Sequence, residues 1–569
     1  MKKYNSNILK TMGFLLCFGG TFATGSVMAD GHLASEPACD TCTGGIGEEW
    51  SWQISGYART YFGMGLEDHE ETPEDDKFDL TMARATLLID TDIYTGPVSW
   101  KIVSRFDREY KTDYMDSLQR ITAGTGTAGE AGSSNNYMDQ YNTNHLQEFF
   151  REYYADFSLF DGKLNMRVGK QQLVWGESDF FQAMDLVHGF DYRWRLFFEN
   201  NEDWRKPLFL VNFDLDLYDE LGGSLNFFIR PGLDRDDDVG SNYNIEGGRW
   251  IPHPYRGVDF TAFTDYNADH TDGSQDDPTF GFRWNSEIGS IGYSVAFLRT
   301  FNPTPMMNPA NSASTALFGV DGTQTPFSEV AENGVLGDWI YPHINVFGVS
   351  ANGYAQMIDS TLSAEVAFIP NKPFNFGQLQ SDLPGWGGII EKDTLVTMFR
   401  IDKEFKLGKY IGTNRPSLSS VQLFDTWILD HSDSDEIVEF ASFGAQKREH
   451  TAYLTVFTLL NFKRDTINPM FVAGTDLSNG GGFGIAAVEF VFGDDWRVKL
   501  EADLWWNDGD KKNTASDNLG SGFGNQTSGQ GGTLAAGTSN PLGFREGNAS
   551  LFDWFADDNQ IVLKITRQF

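Results

Sequence analysis

The stretch that decides the fold is the last one, "QIVLKITRQF" (560–569). Ile561, Leu563 and Ile565 alternate with Val562, Lys564 and Thr566, and the chain stops on the aromatic Phe569. Chain ends usually fray, whereas this one reads as the middle of a strand. If that strand pairs with the first strand of a closed barrel, no edge is left exposed.

The same alternation recurs along the whole chain. In "WRVKLEADLW" (496–505), Trp496, Val498, Leu500, Ala502 and Leu504 oppose Arg497, Lys499, Glu501 and Asp503. In "VSWKIVSRFD" (98–107), Val98, Trp100, Ile102 and Phe106 oppose Lys101, Arg105 and Asp107. "FLVNFDLDLY" (209–218) sets Phe209, Val211, Phe213, Leu215 and Leu217 against Asn212, Asp214 and Asp216. Period two marks strands with one apolar face. These runs are long enough to cross a bilayer as tilted strands, which takes about 9–11 residues. Eighteen such runs can be placed, from 52–62 to 560–569, with sixteen strands as the alternative count.

The connections sort by parity. Tight turns such as "LFDGK", "DELGGS", "SEIGS" and "FGDDW" alternate with long polar segments, and both termini fall on the tight-turn side. Short periplasmic turns, long external loops and an even strand number are the pattern of outer-membrane barrels. The fold class expected is therefore all-β, a transmembrane antiparallel barrel of about eighteen strands.

Composition agrees. Aromatics make up 14% of the chain against 40% hydrophobic residues, as expected where only alternate strand positions need be apolar. No stretch has the length of an apolar membrane helix. Lys2, Lys3 and Lys10 precede "MGFLLCFGG", and Val27-Met28-Ala29 offers a cleavage site, so residues 1–29 read as a secretory signal. Residues 30–50 then read as a periplasmic segment and 51–569 as the barrel. The net charge of −37 argues against nucleic acid, whose phosphates need basic patches. Cys39 and Cys42, in "CDTC", are a disulfide candidate in an oxidising compartment. The sequence indicates no metal and no cofactor.

Two acidic runs, "EDHEETPEDD" (67–76) and "LDRDDDVG" (233–240), lack the calcium-loop spacing and read as hydrated loops kept open by self-repulsion. "GSGFGNQTSGQGGTLAAGTSN" (520–540) reads as a flap. The connection 171–207 is different, being too apolar and aromatic for a solvated loop. Ser178 is placed to cap a short helix with Phe180, Met184 and Val187 on one face and Gly189 at its end. Folding into the lumen as a plug or constriction would cover its aromatics. Lys170, Trp175, Glu177, Asp179, Phe180 and Phe181 are the constriction or gate candidates.

This stretch also carries a family resemblance. Gly169, Lys170, Gln171, Trp175, Gly176, Glu177 and Ser178, preceded by "YADFSLFDGKLNMRV" (154–168), resemble the bacterial outer-membrane family catalogued as domain of unknown function 1302. "RGVDF" (256–260) and "EVAFIPNKPFNF" (365–376) resemble later blocks of it, while "MDLVHGFD" (184–191) stands where the family has an Asn-Pro pair. The resemblance implies an outer-membrane channel. Association with resistance-nodulation-division-type exporters further implies traffic in lipids or other hydrophobic compounds. The C-terminus is similar to the signature that the barrel-assembly machinery recognises, with Arg567 as the departure.

With the apolar set facing lipid, the opposite set lines the lumen: Arg59, Arg84, Lys101, Arg105, Arg167, Asp214, Asp216, Glu365, Arg497, Lys499, Glu501 and Asp503. Such residues can select permeants by charge, or pair with one another and fill the barrel. The expected function is a porin-like conduit, not an enzyme. A surface adhesin or receptor is the alternative, followed by an outer-membrane hydrolase, which would need a nucleophile beside a base. The partners expected are outer-membrane lipid and lipopolysaccharide, the assembly machinery through the Phe569 strand, and a periplasmic or inner-membrane exporter.

Overall fold

The computed structural model describes residues 50–68, 75–122, 138–178, 181–195, 199, 201–242, 249, 264–309, 337–376, 388–438, 447–506, 551–555 and 558–569. The signal, Cys39, Cys42, Asp179, Phe180, the 256–260 block and the 520–540 flap lie outside them.

Eighteen antiparallel strands form one closed sheet. The first nine are β1 (Trp50–Gly65), β2 (Leu80–Thr95), β3 (Val98–Glu109), β4 (Phe150–Leu159), β5 (Leu164–Gln171), β6 (Leu208–Leu217), β7 (Gly223–Arg230), β8 (Thr279–Ile288) and β9 (Ile291–Phe301). The rest are β10 (His343–Ala355), β11 (Ser360–Phe376), β12 (Gly388–Phe405), β13 (Ser417–Ile428), β14 (His450–Leu459), β15 (Ile467–Asp476), β16 (Gly482–Phe492), β17 (Trp496–Trp506) and β18 (Gln560–Gln568). Each strand pairs with its sequence neighbours, and β18 closes on β1 from Tyr57↔Gln568 to Gly65↔Gln560. The terminal residue takes part. The Phe569 amide donates to Gly56 O (3.0 Å), and the Gly56 amide donates to Phe569 O (3.1 Å).

Alternation sets two faces. Outward positions leave Trp52, Phe62, Phe347, Phe471, Leu500 and Leu504 exposed, as a lipid-facing wall requires. At one level this surface is aromatic across strands. Phe213, Phe227, Phe282, Phe297 and Phe347 stand opposite one another from β6 to β10, with ring centroids 5.6, 6.3, 5.4 and 5.1 Å apart. Trp50, Trp52, Tyr94, Trp100 and Trp496, all exposed, collect near the strand ends that carry the tight turns. Aromatic girdles of this kind mark the headgroup level. The molecule is an integral outer-membrane barrel, with the tight turns on the periplasmic side.

Turn chemistry agrees with this. The β2–β3 and β8–β9 turns place Gly96 (φ 73°) and Gly289 (φ 66°) in the left-handed region that glycine tolerates. The wall is uneven in height. β11 and β12 run for 17 and 18 residues, β5 and β7 for only 8. Above the tall hairpin, segments 264–266, 306–309 and 337–340 form a small sheet. It is braced by Asn375, which accepts from the Met307 amide (2.8 Å) and donates to Met307 O (2.6 Å).

The acidic run 233–240 is not a hydrated loop. Asp234 pairs with Arg230 (2.6 Å), and Asp238 with Lys170 (2.8 Å) and Arg235 (2.9 Å). Lys170 is thus an anchor for this segment. Burial alone would raise the Asp238 carboxyl, but the Arg235 and Lys170 cations hold it down at about 2. Self-repulsion loses because cations from the strand ends are brought among the carboxylates.

Candidate constriction across the lumen

The connection between β5 and β6 enters the barrel and touches opposite walls. Beyond Gln171 the chain runs extended along the inside of β7 and β8. Trp175 Nε1 donates to Asn226 Oδ1 (3.1 Å), and the ring meets Phe228 edge-on with centroids 5.1 Å apart. A Cβ at position 281 would lie 2.5 Å from Trp175 Cη2, so glycine at that lumenal position of β8 is what admits the indole.

The chain then reaches the far wall. Glu177 Oε1 accepts from Asn352 Nδ2 on β10 (2.5 Å), its carbonyl accepts from Arg400 Nη1 on β12 (2.9 Å), and its amide donates to Glu365 on β11. Phe181 stacks on Tyr453 of β14 at 4.3 Å and meets Phe424 of β13 at 5.4 Å. Met184 seats on Gly348 of β10, where a Cβ would fall 2.6 Å from Met184 Cε. Leu173, Trp175, Met184, Leu186, Val187, Phe190 and Trp194 join lumenal wall residues in one buried apolar cluster.

The expected helix between Ser178 and Gly189 is not formed in the described residues, 181–189 being irregular. Side chains of this segment turn back to the loop's entry as acceptors. Asp185 Oδ1 accepts from the Trp175 amide (3.5 Å) and His188 Nε2 from the Leu173 amide (2.8 Å). His188 Nδ1 lies 2.9 Å from Lys206 O and donates to it, so one imidazole ties the loop's entry to its exit. Burial first, then Arg205, pushes this imidazole down to about 3, so it is neutral at physiological pH. Asp185 also pairs with Arg205.

The return half meets the wall where the barrel closes. Arg195 pairs with Glu199, with Glu501 and, at 3.3 Å, with Asp503 of β17. Glu199 pairs with Lys564 of β18 (2.8 Å) and lies 4.0 Å from Arg59 of β1. Burial alone would raise the Glu199 carboxyl, but Lys564 and Arg195 hold it well below the usual carboxylate range. Asp203 pairs with Arg59 (3.3 Å) and with Arg105 of β3 (3.2 Å). Trp194 is covered by Arg84 and Arg105, 4.7 and 5.3 Å from its ring centre.

The sequence-predicted lining residues therefore fall into groups. Arg59, Arg105, Lys499, Glu501 and Asp503 meet around the returning loop, with Lys499 on Glu501. Arg84 bonds Asp107 (3.1 Å) and Glu109 (3.4 Å). Lys101 lies between Asp90 (2.7 Å) and Asp92 (3.0 Å), and Arg167 pairs with Asp156 (2.7 Å). Glu365 stands apart on the far wall beneath Glu177. Asp216 lies at the turn end, accepting from the Tyr218 amide (2.9 Å), and Arg497 donates to Trp496 O (3.2 Å). Asp214 faces inward on β6, opposite Asn226.

Charged lining thus concentrates on β17, β18 and β1–β5. The other arc carries few charges, Glu365 and Arg400 among them, and mixes Leu298, Ile344, Val346, Ile369, Val396, Met398, Phe424, Phe457, Val472 and Ile485 with small polar side chains such as Ser350, Thr394, Ser420 and Thr455 on the inner face of β9–β16. Sequence reading missed Arg195, Glu199 and Asp203 as wall contacts. Their signal was present in "RWRLFFENNEDWRK" (193–206), where charges interleave with aromatics. A charge held among tryptophans needs a partner.

A family model described as "Protein of unknown function (DUF1302)" matches residues 67–519. Solved structures similar to the chain include Acinetobacter baumannii OccAB3, at 7% identity and a TM-score of 0.41, over 91% of this chain and 99% of that one. A BenF-like porin from Pseudomonas fluorescens Pf-5 aligns at 9% identity and a TM-score of 0.41, over 91% and 98%. Salmonella typhi OmpF, in a complex with daunomycin, aligns at 9% identity and 0.35, over 91% and 98%. No curated protein matches the sequence.

Proposed function

The chain belongs to the DUF1302 family of proteins of unknown function, and from its lumen we propose that it is a constricted outer-membrane channel for apolar cargo. The observation that carries this reading is the unequal lining. The described residues of loop 172–207 rest on ion pairs at one margin, and on hydrogen bonds of Glu177 and the apolar contacts of Trp175, Phe181 and Met184 at the other. A polar solute gains nothing from the apolar arc, whereas a lipid or another hydrophobic molecule can replace Phe181 and Met184 there with comparable packing. The charged margin holds the loop while the apolar margin exchanges. A periplasmic or inner-membrane exporter would deliver such cargo to the turn-side mouth.

The test is flux through the refolded protein. Planar bilayers report ion conductance, and liposomes report entry of a fluorescent fatty acid against a fluorescent sugar. The intact protein is expected to conduct ions poorly and to favour the fatty acid. A Glu199→Gln/Asp203→Asn variant, with the latch weakened, is expected to conduct ions. Steady conductance of the intact protein with equal passage of sugar would replace this reading with a diffusion porin. Silence of both proteins in every assay would replace it with a surface receptor.

A further inference from the structure

The turn side of the barrel carries a surface unlike the rest of an acidic chain. Residues 403–416, "KEFKLGKYIGTNRP", hold Lys403, Lys406, Lys409 and Arg415 against Glu404 as the single acid. Lys406 and Lys409 are exposed, and so is 65% of the Arg415 side chain. Beside them stand apolar side chains in water-accessible positions: Tyr410 at 83% exposure, Ile411 at 51% and Phe405 at 42%.

Neighbouring turns extend the patch on both sides. Lys403 Nζ donates to Ile358 O, which ties in turn 356–359, where Met357 and Ile358 are exposed. On the other side the Asn414 amide donates to Asn461 O (3.0 Å) and Arg415 lies 3.5 Å from Asp465, next to the exposed Lys463 and Arg464. Two other tight turns have the opposite sign, with Asp219 and Glu220 in 218–222 and Asp494 and Asp495 in 493–495. Cations are thus gathered into one sector of the rim.

We propose that turns 356–359, 403–416 and 460–466 form a docking surface for anionic phospholipid headgroups of the periplasmic leaflet. The cations supply charge complementarity to a phosphodiester. The exposed Tyr410, Ile411 and Ile358 supply the apolar contact that an acyl chain offers and a free phosphate does not. The aromatic strand ends of this side already stand at headgroup level, so the cations meet lipid without displacement of the fold.

The experiment is native mass spectrometry of the refolded protein in detergent, titrated with dioleoyl-phosphatidylglycerol or dioleoyl-phosphatidylcholine. Wild type is expected to retain phosphatidylglycerol preferentially. Each surface cation removed lowers an anionic-lipid equilibrium about fivefold, so Lys406→Gln/Lys409→Gln/Arg415→Gln is expected to lose the preference by tenfold or more. Lys163→Gln, in turn 160–163 outside the patch, serves as the control and is expected to keep it. Equal retention of both lipids by wild type, or an undiminished preference in the triple variant with its heat-modifiable gel mobility intact, overturns the proposal.

Discussion

Along β17, β18, β1 and β3 the lumenal loop is held by charge, with Arg195, Glu199 and Asp203 each meeting partners of opposite sign. Along β8, β10, β13 and β14 it is held chiefly by shape, with Trp175 on Gly281, Met184 on Gly348 and Phe181 between Tyr453 and Phe424, beside one uncharged partner, Asn352, for Glu177. The difference lies in how each contact fails. A buried charge that loses its partner keeps its desolvation cost, so the ionic margin resists partial opening. An apolar contact is non-directional and accepts a substitute of similar size. One margin fixes the loop, and the other can be exchanged for a guest.

The comparison breaks most readily at Arg195. Arg195→Ala removes the cation shared by Glu199, Glu501 and Asp503, and breaking buried pairs of this kind costs about 3–5 kcal/mol. Thermal unfolding should shift accordingly, with faster amide exchange across residues 199–206. An unchanged melting curve would mean that charge does not hold this margin.

Gly348→Leu tests the other margin. Overpacking of this kind typically costs about 1–3 kcal/mol, here by driving Met184 off β10. Adding Met184→Ala should recover most of the loss. If the double variant is no better than the single one, Met184 is not the group displaced.

Acid should act through His188. Its imidazole is pushed down to about 3 in the folded state against 6.5 for an ordinary histidine. The unfolded chain therefore binds the extra proton between those values, and stability falls as pH drops from 6.5 towards 3. A protonated ring cannot accept from the Leu173 amide, a bond worth about 1 kcal/mol. Loop exchange should thus accelerate below pH 6.5 in wild type, and His188→Ala should flatten that dependence. The smallest effect belongs to Lys163→Ala. Its partner Glu220, 2.5 Å away, is exposed, and neither margin should respond by exchange or melting.

What was legible in the sequence follows from the physics of each part. A membrane strand must alternate, because one face meets lipid, and so all eighteen runs and the parity of their connections could be read directly. The lumenal loop obeys no period. Phe180, Met184 and Val187 have helical spacing, but Asp185 and His188 accept the Trp175 and Leu173 amides and hold the chain irregular. The ionic margin joins residues hundreds of positions apart, which local pattern cannot reveal. Loop 233–240 misled in part for the same reason, since Lys170, which meets Asp238, comes from β5, while Arg230 and Arg235 pair locally with Asp234 and Asp238.

That separation in sequence has a consequence for how the molecule is built. Arg195 and Glu501 stand 306 positions apart, and Glu199 and Lys564 stand 365 apart. Both partners lie on the last two strands of the sheet, β17 and β18. While the sheet is still growing, Asp203 can already meet Arg59 and Arg105 of β1 and β3, but Arg195 and Glu199 lack their partners on β17 and β18. Its full fastening must therefore follow the arrival of β17 and β18, the same event that seals the ring. The interior clasp is in this sense a receipt for completed assembly, and a barrel halted before its final strands would carry its loop fastened at Asp203 alone.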